Sequence, residues 1–203
     1  MSHIIDPLVT RIGARVRAER ERRRWTLAQL ADASGVSRAM VHRIERGESS
    51  PTAVVLGKLS GAFRISVSSL LAMAEDATDG TDGGNATGGG DSKHGGAVDA
   101  AEWRDPATGY RRRQLSSPRF PAELAEIRLP AGAHVPYPAA AFAFVQQIVW
   151  VLDGRLTFHE GDETHELAAG DTIELGTPAP RAFANRTEQE CRYAVILVRS
   201  EAP

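Results

Sequence analysis

Along the first 75 residues, apolar side chains recur every three or four positions: Leu8, Ile12 and Val16; Leu27 and Leu30; Val41 and Ile44; then Val55, Leu56, Leu59 and Phe63. That spacing lays an apolar stripe along a helix, so it predicts a small all-α unit. From residue 123 onward the pattern changes. Short β-rich runs at residues 123–129, 145–152, 155–159, 172–175 and 193–198 alternate with turn signals. The turns fall at residues 130–132, at Asp153-Gly154, Gly161-Asp162 and Gly170-Asp171, and at residues 178–180. Strands punctuated in this way predict an all-β unit. No internal repeat relates the two halves.

The segment between them follows neither pattern. Eight of the 19 glycines fall between Gly80 and Gly96, and Val98 is the only large apolar residue over 75–101. Such a stretch cannot bury enough surface to offset its ordering entropy, which predicts a flexible, weakly acidic tether. The expected organisation is therefore residues 5–74, a tether over 75–101, and residues 102–203. A tether of this kind makes a rigid lever between the halves a poor expectation. A signal would instead pass through dimer geometry or a direct contact between the halves.

Composition changes the picture little, and charge changes it more. With 42% hydrophobic and 25% charged residues the chain is of ordinary globular type, neither fibrous nor wholly disordered. The longest apolar run, residues 139–145, is far shorter than the roughly 20 residues that cross a bilayer. No secretory signal opens the chain, and the single Cys191 cannot form an internal disulfide, so the expected setting is cytoplasmic. The net charge of −2 is unevenly spread: +5 over residues 1–75, −5 over 76–102 and −2 over 103–203. A basic first part points towards an anionic partner such as nucleic acid.

Residues 25–52, WTLAQLADASGVSRAMVHRIERGESSPT, carry the most information. Thr26 and Gln29 form a capping box that starts a helix. Gly35 can take the left-handed conformation that ends it, and Ser37 can cap the next helix. Ala31 is small where two helices cross, while Leu30, Val41 and Ile44 can fill a shared core. This spacing is the helix-turn-helix pattern. Over about residues 8–72 it resembles the Xre/Cro/C1 regulators, which implies a five-helix, lambda-repressor-like domain that binds double-stranded DNA. The resemblance places Ser37, Arg38, Ala39, His42 and Arg43 at base edges. An arginine there can donate two hydrogen bonds to guanine, and Ala39 offers a methyl group to thymine. Thr26, Arg46, Ser49 and Ser50 are then expected at phosphates. Arg22, Arg23 and Arg24 read as a solvated helix end, and Glu45 as one half of a structural ion pair.

In the second half, a leading LPAGA, then VWVLDG, Gly170-Asp171 and Asn185 together resemble a cupin, an all-β barrel often fused to Xre-type regulators. The resemblance covers about residues 123–198. It implies metal-ligand positions at Ala141, Ala143, Gln147 and Arg181, where the expected histidines and glutamate are all absent; alanine cannot bind a metal and arginine repels one, so no metal or other cofactor is expected. His134, His159 and His165 lack ligand-like spacing. Strand alternation puts Ala143, Val145, Gln147, Val149 and Val151 on one face, read as the barrel interior. Arg181 and Gln147 would be the polar groups of a pocket walled by Val149, Ile173, Phe183 and Tyr193. Arg181 would hold an anionic effector, most simply a carboxylate, unless an internal acid such as Glu174 or Glu126 neutralises it. Phe142, Phe144, Ile148 and Trp150 lie on the opposite face and require cover.

Together these readings describe a multidomain α + β protein, a homodimeric regulator that reads a palindromic operator. Its cupin would dimerise and sense a small molecule, with no catalytic residue and no membrane partner. Three alternatives stay open at this point: a cupin that only dimerises, a metal-free cupin enzyme on a DNA-binding domain, and an antitoxin-like regulator whose second half binds a protein.

Overall fold

The computed structural model describes residues 7–75, 102–116 and 120–199; residues 76–101, nearly all of the expected tether, lie outside it. Five helices come first: α1 (Pro7–Arg22), α2 (Leu27–Ser34), α3 (Arg38–Glu45), α4 (Ala53–Phe63) and α5 (Val67–Glu75). Pro7 begins α1, where its missing N–H leaves no helical bond unmade. The Thr26–Gln29 capping box starts α2, and Gly35 closes it in the left-handed region at φ 64°. Ser37 Oγ accepts from the Met40 N–H at 3.2 Å and starts α3. Thr52 does the same for α4 through Val55.

The apolar stripes meet in one core. Ile12, Val16, Leu30, Val41, Ile44, Leu56, Leu59 and Phe63 are all fully buried. Full burial of such side chains stabilises by about 1.5–3 kcal/mol each. The tightest crossing joins α1 to α3 at Gly13, where a Cβ would lie less than 3.0 Å from the carbonyl oxygen of Ile44. A bidentate ion pair reinforces that crossing: Arg20 Nε and Nη2 donate to Glu45 at 2.7 and 2.8 Å. Glu45 therefore holds α3 in place.

Buried Glu19 ties down the end of α1 by accepting from Arg15, Arg22 and Arg23. Burial works to raise its carboxyl pKa, but the hydrogen bonds from Arg23 and Arg22 and the charge of Arg15 outweigh it and leave the group below the usual value. Its folded pKa thus lies below its unfolded one. The resulting stabilisation is complete above the ordinary glutamate value of about 4.3 and is lost as pH falls through the lowered native value. Glu19→Gln is expected to lower stability at neutral pH and to flatten the fall in stability on acidification. Urea unfolding of both proteins across that range checks this, and parallel acid limbs would count against it.

Among the described residues the second half is built from ten antiparallel strands in two sheets. In chain order these are β1 (Glu102–Arg104), β2 (Arg111–Gln114), β3 (Ala122–Leu129), β4 (His134–Tyr137), β5 (Val145–Asp153), β6 (Arg155–Glu160), β7 (Glu163–Ala168), β8 (Thr172–Glu174), β9 (Arg181–Ala184) and β10 (Cys191–Arg199). One sheet has the order β1-β2-β3-β10-β5-β8, the other β4-β9-β6-β7. Gly154, Gly161 and Gly170 all have positive φ, and they turn the chain between β5 and β6, β6 and β7, and β7 and β8. Gln147, Val149 and Val151 form the buried face of β5, with Tyr193, Val195 and Leu197 beside them on β10. On the opposite face Ile148 and Trp150 are exposed. Phe142, by contrast, is buried in a short 3-10 turn, Ala139–Phe142.

The two halves touch. Helix α4 lies against β4 and the 3-10 turn, and glycines permit the approach. A Cβ on Gly57 would sit 2.5 Å from the Tyr137 ring, and one on Gly61 would sit 2.9 Å from the Ala140 Cβ. The Arg64 guanidinium covers the Phe144 ring at 4.5 Å. Ser66 and Ser69 donate to the Glu123 carboxylate, and Ser68 Oγ accepts from Arg112. Gly61→Ala is expected to destabilise by about 1–3 kcal/mol through overpacking at this seam. Amide exchange at residues 66–68 should quicken, while Ile12 and Val41 in the helical core stay protected. Unchanged exchange at the seam would show that the approach is not set by this glycine.

Candidate functional site

The α2–turn–α3 unit presents one face of α3 outward. Val41 and Ile44 point into the core, and Ser37, Arg38, Ala39, His42 and Arg43 are all exposed. The Arg43 guanidinium lies 3.8 Å from Met40 Sδ, and neither Arg38 nor Arg43 forms an ion pair among the described residues. Two cations thus stand on a helix whose other side is anchored. Thr26 is exposed at the N-terminus of α2, next to backbone N–H groups suited to a phosphate. Arg46 is exposed and pairs with Glu48; Ser49 and Ser50 are half-buried in the following loop. All nine residues expected at DNA therefore lie on α3, at its caps, in the loop that follows it, or at the start of α2.

The arginine run needs a correction. Arg22 is largely solvated, but Arg23 is not a solvated end. It donates to Glu19 and to the Phe63 carbonyl, and it lies 4.9 Å from the Phe63 ring centroid and 5.9 Å from that of Trp25. It joins the end of α1 to the end of α4.

A cavity of about 40 Å³ opens at the end of the barrel nearest α5. One wall belongs to the helical half: Ser66, Val67 and Ser68 at the start of α5. The opposite walls carry Tyr110, Arg112, Tyr137 and Gln147, with Phe142, Phe183, Tyr193 and Leu197 supplying apolar surface. Burial raises the phenols of Tyr137 and Tyr193 well above their usual range, so both are neutral donors at physiological pH.

Of the residues expected in a pocket, Gln147, Phe183 and Tyr193 line this cavity; Val149, Ile173 and Arg181 do not. Arg181 is the substantive correction. It is buried, but it pairs with Glu160, donates to the carbonyls of Gly176 and Thr177 at 2.9 and 3.1 Å, and lies over Phe142 at 4.5 Å. The neutralising acid is Glu160, directly across from it on β6, rather than Glu174 or Glu126. A guanidinium paired in this way, buried and outside the cavity wall, is not placed to hold a ligand there.

The positions where a cupin metal would sit do not fit one: Ala141 lines the cavity, Ala143 is exposed, and Arg181 is committed to Glu160. Among the described residues no three His, Cys, Asp or Glu side chains gather in a way that could hold a metal. His134 and His159 approach to 6.3 Å between rings, and His159 bonds Thr164. Cys191 is buried, and burial with the nearby Asp153 and Glu190 pushes its thiol up to about 11. Asn185 binds the carbonyls of Leu129 and Gln189 and holds its own loop.

Arg112, Tyr110, Tyr137 and Ser68 did not emerge from the sequence as site residues. A signal was present for one of them. In Arg111-Arg112-Arg113, strand alternation turns the middle arginine away from its neighbours, so at least one of the three cations must point inward; it is Arg112 that is buried.

Residues 16–70 match the helix-turn-helix family HTH_3, and residues 143–197 match the cupin domain family Cupin_2. Curated relatives of the helical part include the HTH-type transcriptional regulator SutR of Escherichia coli, 42% identical over 59 residues, which is 29% of this chain and 33% of that protein. Another is the competence pilus inhibition repressor of Acinetobacter baylyi, 38% identical over 65 residues, 32% of this chain and 59% of that one. The chain thus spans from a third to under two thirds of the length of these relatives. A crystal structure of an HTH_3 family transcriptional regulator from Vibrio cholerae is similar over 97% of this chain and 100% of its own, with TM-score 0.74 and 22% identity. That likeness covers the fold of both halves. No helix among the described residues is long and apolar enough to cross a membrane.

Proposed function

We propose that a chain joining an Xre-type helix-turn-helix domain to a cupin domain works as a sequence-specific DNA-binding transcription regulator, with the cupin as its small-molecule sensor. The observation that carries this reading is the outward face of α3. Arg38, His42 and Arg43 are exposed on a short helix fixed from behind by Val41, Ile44 and the Arg20–Glu45 pair. A rigid helix with unpaired cations and small side chains along one face suits the major groove. The curated relatives of this segment, named as regulators, support the same reading.

Reading a palindrome requires two such helices about 34 Å apart, hence a two-fold dimer. Ile148, Trp150 and Val198 stand exposed on the outer face of the larger sheet, and a second copy of the chain is the occupant proposed for them. The enzyme alternative is weakened by the chemistry found inside the barrel: the cavity walls carry no histidine, carboxylate or thiol to serve as base or nucleophile. A regulator responds to its effector only if the DNA-competent and incompetent forms bind that effector differently.

Titrating the full chain with genomic DNA fragments at two salt concentrations tests the proposal. Sequence preference that survives the higher salt is the expected result, because attraction to phosphates alone weakens steeply with salt. Binding that is uniform across fragments and vanishes with salt would overturn it.

A further inference from the structure

The cavity wall contains a buried cation with no counter-ion among the described residues. Arg112 is 7% exposed and lines the cavity wall. It donates to the Tyr110 hydroxyl at 3.3 Å and to Ser68 Oγ, while its Nε finds no partner. No carboxylate lies within ion-pair distance of it among the described residues. Other buried or partly buried arginines differ: Arg20, Arg23, Arg113 and Arg181 each meet a glutamate. Holding a guanidinium out of water without an anion is costly, so a site that does so is built to receive one.

We propose that this cavity binds a short-chain monocarboxylate, held by Arg112 and gripped from both halves of the chain. The inference deepens the sensor reading above and rests on it for its consequence, though not for the binding itself. Three features select the ligand class. One cation faced by neutral phenols and an amide balances a single negative charge; a dianion would be left in excess. The planar guanidinium matches the two oxygens of a carboxylate, and its buried Nε–H is a donor that no described group takes up. The remaining walls, Phe183 and Leu197 among them, are apolar and suit a short alkyl tail, and 40 Å³ holds only a few water-sized groups.

The position gives the site its use. Ser68 belongs to α5, Arg112 to β2, and the two already bond across the seam. A carboxylate held in this cavity by the Arg112 guanidinium lies between the DNA-reading half and the barrel, so occupancy and the docking of the halves are thermodynamically linked. The neighbouring serines do not compete for it, since Ser66 and Ser69 are already bound to Glu123.

Calorimetry on the full chain, titrated with propionate against propionamide at constant ionic strength and without DNA, tests the site. Saturable binding of propionate and none of the amide is expected. Arg112→Met should weaken propionate on the order of 100-fold or more, and Ser68→Ala, which leaves the charge in place, roughly tenfold. If Arg112→Met does not fold, Ser68→Ala and Gln147→Leu decide the matter. Propionate binding no better than chloride, or unaffected by a folded variant, overturns the proposal. DNA affinity is then read separately. Calorimetric binding with no DNA recognition at all sinks the regulator and leaves the carboxylate site standing, whereas DNA recognition without propionate binding does the reverse.

Discussion

Replacing Arg38 and Arg43 together by alanine is expected to erase sequence preference in DNA binding while leaving the fold intact. Both side chains are exposed, and Arg38 makes no contact that holds the domain together. Alanine is also the better helix former, so stability should move by less than about 0.5 kcal/mol. Recognition should fall far more. A bidentate arginine–guanine contact is worth about 1–3 kcal/mol of discrimination, so losing two predicts a drop on the order of 30- to 10⁴-fold on the preferred fragment. Fluorescence anisotropy on preferred and scrambled duplexes measures it. An equal loss on both duplexes with a shallower salt dependence would move these arginines from bases to phosphates. Full retention of preference would remove them from the interface.

Gly13→Ala should have the largest effect on stability. In an exposed helix this change stabilises by up to about 1 kcal/mol. Here the added Cβ would meet the Ile44 carbonyl oxygen at less than 3.0 Å and the Gly47 nitrogen at 3.3 Å. Both are backbone atoms, so no rotamer change relieves the clash; α1 and α3 must separate. The net cost expected is about 3 kcal/mol, at the upper end for overpacking. The loss should appear in thermal unfolding followed by helical circular dichroism, with DNA binding reduced in parallel because α3 is the element displaced. A variant as stable as the parent would mean that the crossing is looser than described.

Much of the helical half was legible because its signals are local. Thr26, Gln29, Gly35 and Ser37 act within one or two turns of themselves, so caps and turn could be read directly. Gly13 could not, because its reason for being glycine is an oxygen 31 residues away. In the second half, strands with apolar alternation such as residues 145–152 stood out, whereas β2, with sequence RRRQ, and the short β1, β4 and β9 carried no comparable pattern. The site suffered most from that difference. Gln147 and Tyr193 sit on strands that announce themselves. Arg112 sits on one that does not, and its other wall, Ser68, comes from a helix far back in the chain. Arg181 misled because its type and position in the cupin pattern were visible, and its partner Glu160 becomes adjacent only once β6 pairs with β9.

The two glycines of α4 bear on how interchangeable such halves are. Gly57 and Gly61 leave bare backbone where the Tyr137 ring and the Ala140 methyl come to rest. A chimera that grafts another reading head onto this barrel would bring ordinary side chains to both places and would seat askew, leaving the mouth above Arg112 ajar. Transplanting those two hydrogens together with the serines that follow them is the least that such a graft would require.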